Sequence, residues 1–146
     1  MPVRRPRFLA SSIGRGQVQL MMTRKLLLVT ALVETPVGVV FLFSPALVVP
    51  VLLGVSLDAP AAFVMARMFG AALLSLAAAC WLARDDRPSR ARYGLVAALA
   101  VYNGVAVAVL VNAVVGPRLA GVLTWPAVAL HAGLTVWCLA CLRSRR

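Results

Sequence analysis

Four apolar runs, each long enough to cross a lipid bilayer as a helix, constrain this chain more than any other feature. They cover about 26–43, 61–83, 93–115 and 119–142. Even the shortest, eighteen residues rising about 1.5 Å each, reaches roughly 27 Å, close to the hydrocarbon thickness. Composition agrees: 62% of the 146 residues are hydrophobic and the mean hydropathy is +0.94, well outside the usage of water-soluble domains. The expected fold class is all-α, an integral membrane four-helix bundle in a single domain over 22–146. A flexible basic tail is expected over 1–21, where Arg4, Arg5, Arg7 and Arg15 alternate with Ser and Gly. Adjacent Met21 and Met22 make a later translational start plausible.

The charges between the runs set the topology. Of the 15 Lys and Arg, six precede the first run, four lie in or beside the loop Arg84-Asp85-Asp86-Arg87-Pro88-Ser89-Arg90, and three follow the last. Arg118 alone sits at the opposite end. The positive-inside rule then expects both termini and the charged loop in the cytoplasm, an N-in/C-in arrangement in a bacterial cytoplasmic (inner) membrane, multi-pass. A net charge of +11 raises nucleic acid as a partner, but the basic residues cluster at the ends of apolar runs and form no binding face, so none is expected. The Arg4-Arg5 pair is not followed by the apolar region of a twin-arginine signal, and no small-residue cleavage site follows the first run, which reads as an uncleaved anchor. Between the first two runs, Pro45, Pro50, Gly54 and Pro60 punctuate a stretch too short to span. It reads as a short interfacial or re-entrant segment, or as the kinked continuation of a long first helix.

Polar residues inside the runs are the candidate site. A charge at the bilayer centre costs on the order of 3 kcal/mol on insertion scales, so each needs a partner or a role. Glu34 lies roughly 13 Å from the outer end of its run and Arg67 roughly 10 Å from the outer start of the second, depths at which they can meet. Tyr102, Asn103 and His131 fall roughly 18 Å from the same side. Every run thus brings a polar group near mid-membrane. In one reading Glu34 and Arg67 form a buried ion pair, with Asn103 and His131 completing its hydrogen bonds and setting helix register. In the other the cluster lines a polar cavity, Glu34 and His131 exchange protons, Arg67 attracts an anionic or carbonyl-bearing ligand, and Tyr102 orients it. Pro36 removes the donor for the Leu32 carbonyl close to Glu34, as a cation or proton site or as a plain kink. Small residues at four-residue intervals, Ala62, Ala66 and Gly70 in one run and Ala100, Gly104, Ala108 and Asn112 in another, favour close helix packing.

Other chemistry finds little support. Cys80, Cys138 and Cys141 are expected at one depth, a conceivable metal or redox cluster, but no fourth ligand completes a zinc set and cysteine in a membrane helix is usually a small apolar residue. His131 is the single histidine, so a bis-histidine haem site within one chain is impossible. Trp81, Trp125, Trp137 and Tyr93 sit near the run ends as interfacial anchors. The charged loop offers no nucleophile and base pair beyond Asp85, Asp86 and Ser89, so no catalytic residue is assigned and an enzyme is not favoured.

Phe43-Ser44-Pro45, Leu52-Leu53-Gly54 and Ala66-Arg67-Met68-Phe69-Gly70-Ala71-Ala72-Leu73-Leu74 together resemble the DoxX-like group of small bacterial four-helix membrane proteins, over roughly 26–84. Some of that group are accessory membrane subunits linked to quinone-coupled sulfur oxidation, so the resemblance implies a tie to membrane redox complexes. No catalytic residue of the group maps onto this chain. Two functions are therefore expected: an accessory or scaffold subunit, associating with other membrane subunits or with itself, whose polar cluster locks the fold; or a proton-linked carrier or quinone-binding subunit using Glu34, Arg67 and His131.

Overall fold

The computed structural model describes residues 7–143, with side-chain surroundings from residue 16 onward. Five helices follow one another: α1 Arg7–Phe43, α2 Pro45–Leu53, α3 Pro60–Ala83, α4 Arg90–Val115 and α5 Thr124–Arg143. No strand occurs among the described residues. Four of the helices are long and apolar enough to cross a membrane, α1 from Gly16 onward and α3, α4 and α5 over their whole length. Their outward faces are apolar as well: Leu32, Met65, Met68, Val101, Val109 and Val136 are all exposed. A helix that is apolar all round is stable where its surroundings are apolar too, and these faces match lipid.

Two boundaries differ from the sequence expectation, the start of the first helix and the start of the fourth span, each for a local reason. The first helix starts at Arg7 and so runs through most of the stretch expected to be a flexible tail; residues 1–6 of that stretch lie outside the described residues. Leu, Met, Gln, Arg and Lys between Gln17 and Lys25 are good helix formers with no proline among them, so a helix nucleated in the apolar run continues outward. Gln19 ties this extension to the end of α5 by donating to the Cys141 carbonyl. The proline-rich stretch after α1 is a separate nine-residue helix. Ser44, with φ −140° and ψ 57°, breaks the α1 backbone, and Pro45 starts α2 at a position where its missing N–H costs nothing. Gly54 ends it in the left-handed conformation at φ 75°.

The fourth span starts at Thr124 and not at Leu119. The five residues before it instead pair with the end of α2: Gly121 and Leu123 donate to the carbonyls of Leu52 and Val51 at 3.2 and 3.0 Å. The fully buried Thr124 hydroxyl joins this tie, donating to the Leu52 carbonyl and accepting from Gly121 N–H. These bonds satisfy carbonyls that the end of a short helix leaves open. A side chain at Gly121 would place its Cβ 2.2 Å from the Val51 oxygen, so only glycine permits the approach.

Helix α1 packs along α3, and α4 along α5, whereas the two pairs touch each other only sparingly. One cluster at the charged-loop end joins them, built on Leu26, Leu27, Cys80, Val96, Leu99, Leu134 and Cys138. The charged loop is folded back on itself. Ser89 caps α4 by accepting from Arg92 N–H at 3.1 Å, the Arg92 guanidinium donates to the Asp86 and Arg84 carbonyls, and Asp85 pairs with Arg24 at 2.6 Å and Arg84 at 3.2 Å. The Arg24 hydrogen bond is the main reason the exposed Asp85 carboxyl is held below the usual carboxylate range.

Candidate functional site

Where the two helix pairs diverge, toward α2, they leave a cavity of about 670 Å³. Its walls are apolar side chains from every element, among them Phe41, Leu52, Phe69, Leu73, Val105 and Leu130. Phe41 and Phe69 meet edge to face at 5.0 Å across the α1–α3 seam. The size suits a drug-sized or lipid-like molecule, and the wall chemistry suits an apolar one.

Three of the expected polar residues line this cavity: Glu34 from α1, Tyr102 from α4 and His131 from α5. They converge. The rings of Tyr102 and His131 stand edge to face at 5.6 Å, and Glu34 lines the same cavity. Asn103 sits behind them, fully buried, with its Nδ2 donating to the Leu99 carbonyl at 2.8 Å and its Oδ1 2.7 Å from His131 Nδ1. Glu34 is 2% exposed, and its Oε1 has no hydrogen-bond partner. A buried carboxyl oxygen left unmatched is costly, and such groups in native proteins call for an explanation.

Arg67 does not join the cluster. It is exposed, does not line the cavity, and makes neither an ion pair nor a hydrogen bond among the described residues, so the expected pairing with Glu34 is not formed. The reason is azimuth. The buried stripe of α3 is Gly70, Leu73, Ala77 and Cys80, and at 3.6 residues per turn Arg67 lies roughly 100° around the helix from its centre. Some 10 Å from the start of α3, its long side chain can carry the guanidinium toward the helix end.

The thiols are likewise placed by packing. Cys80, Cys138 and Cys141 are free and buried in the apolar cluster at the charged-loop end, and no three His, Cys, Asp or Glu among the described residues are arranged to hold a metal ion. Thr30 was not among the expected site residues. It is fully buried one helical turn from Glu34 on the same face, and its hydroxyl has no partner. The only signal was a Thr four residues before the carboxylate within an apolar run, which by itself points nowhere.

The described residues therefore put a carboxyl, a phenol and an imidazole on the wall of an apolar cavity, with no cation beside them. Among known proteins, no family model matches this chain, and no curated protein or solved structure shows significant similarity to it.

Proposed function

We propose that this chain is a multi-pass membrane protein that holds a lipophilic molecule, an extended apolar body with a small polar head, in the cavity between its two helix pairs. The observation that carries this reading is the apolar wall with Glu34, Tyr102 and His131 gathered on it. An apolar pocket with a few convergent polar groups is the usual form of a small-molecule site. Quinones are one class of molecule with this outline. Arg67, which faces away, has no part in the site. The distribution of basic residues supports a bacterial cytoplasmic membrane with both termini and the charged loop inside.

The test uses the purified chain in lipid nanodiscs and three tritiated probes with one decyl tail: a phenol, its methyl ether and a benzoquinone. At least one binds saturably at about one per chain, and Ala106→Phe, which fills the cavity from α4, abolishes that binding while leaving helix content intact. Unsaturable partitioning of all three, or unchanged binding in the filled variant, refutes the proposal. A second reading, an accessory or scaffold subunit whose polar groups lock the bundle, is supported by Asn103, whose buried amide bonds both to its own helix and to α5. It predicts that Asn103→Leu destabilises the bundle even if no ligand is found.

A further inference from the structure

Resting on the ligand-binding reading, the hydrogen-bond inventory of the cluster says what kind of head the cavity takes. Asn103 Nδ2 donates to the Leu99 carbonyl, and this orients the amide, because the opposite orientation would set Oδ1 against that carbonyl oxygen. The atom 2.7 Å from His131 Nδ1 is therefore the Asn103 Oδ1, which can only accept. The proton of the neutral imidazole sits on Nδ1. His131 Nε2 then carries a lone pair, and it has no partner among the described residues although the ring lines the cavity. Beside it stands the Tyr102 ring, edge to face with the imidazole at 5.6 Å. The imidazole proton and one Asn103 amide proton are thus engaged within the protein. What the imidazole offers a ligand is an acceptor, Nε2.

We infer that the cavity selects a lipophilic molecule whose head donates hydrogen bonds, a phenolic or alcoholic hydroxyl, over one of the same shape whose head only accepts them. An ether or carbonyl oxygen placed against Nε2 faces its lone pair and leaves it unmatched. A hydroxyl satisfies Nε2 and loses little of what it had in water. The preference is set by Asn103, which never touches the ligand and acts by fixing the imidazole tautomer.

Because His131 is the single histidine, labelling histidine with ¹⁵N gives one pair of ring resonances, and their shifts report the tautomer directly. At pH 8, without ligand, Nδ1 is protonated and Nε2 is not; addition of 4-decylphenol moves the Nε2 resonance and its methyl ether does not. In the binding assay the phenol is held roughly three- to tenfold more tightly than the ether or the benzoquinone, the range of one net hydrogen bond. In Asn103→Leu/His131→Leu, which replaces both partners of that hydrogen bond together and leaves no orphan, the three probes bind alike. An Nε2-protonated ring, equal affinities in the parent, or a preference that survives the double variant overturns the inference while leaving the cavity reading in place. Failure of all three probes to bind overturns both.

Discussion

Gly70→Ala is the sharpest test of the packing that shapes the cavity. A Cβ on Gly70 would lie 2.6 Å from the Leu42 nitrogen, 2.7 Å from the Gly38 oxygen and 3.0 Å from the Phe41 carbonyl carbon. Ordinary contact begins near 3.4 Å, so α1 and α3 must separate by about 0.8 Å. All three neighbours are main-chain atoms with no rotamer to give way. Overpacking of this kind costs about 1–3 kcal/mol, and an unyielding backbone places it near the top of that range. Alanine recovers about 1 kcal/mol of helix propensity, leaving a net loss of about 2 kcal/mol. The control is Gly133→Ala on α5, where a Cβ meets nothing within 4 Å and the propensity gain stands alone. Reversible unfolding in mixed micelles, followed by circular dichroism as the denaturing detergent is raised, gives both values. Gly70→Ala also pushes Phe41 away from Phe69, so the cavity widens and ligand affinity falls. If Gly70→Ala proves as stable as Gly133→Ala, the α1–α3 crossing is not the close one described and the cavity wall built on it is wrong.

Two further perturbations address the charges. Glu34→Gln and Arg67→Gln should act independently, with a coupling in the double variant within about 0.5 kcal/mol, because Arg67 faces away from the cluster. A buried pair would instead show single losses of about 3–5 kcal/mol and recovery in the double variant, and that result in the same unfolding assay would restore the ion pair. At the charged loop, the Asp85 carboxyl is held low chiefly by Arg24, so its stabilisation is complete above the unfolded value of about 3.9 and is lost as pH falls through the folded value. Thermal unfolding midpoints from pH 2.5 to 7 should therefore show Asp85→Asn flattening the acid limb; a change in slope between pH 5 and 7 instead would contradict the Arg24–Asp85 contact.

Span number, the charged loop and the proline-marked break after the first helix were all legible in the sequence, because each depends on local properties: hydropathy summed over a helix length, and the backbone limits of Pro and Gly. So was the depth of each polar residue, since a helix rises by a constant amount per residue. Depth put Glu34, Tyr102 and His131 at similar levels, and they share a cavity wall, but it put Arg67 with them as well. Two groups at one level meet only if both helices turn them inward, and helices apolar on every side carry almost no signal of rotation. The small residues Ala66 and Gly70 marked the packed face of α3, and weighing Arg67 against that stripe would have placed it outside. Only the tertiary structure decided the rest: that α1 pairs with α3 and α4 with α5, that 119–123 ties onto α2 where a helix start was expected, and that Asn103 spans two helices to fix one nitrogen of His131. Contacts of that kind depend on the relative rotation and translation of whole helices, which no run of neighbouring residues encodes.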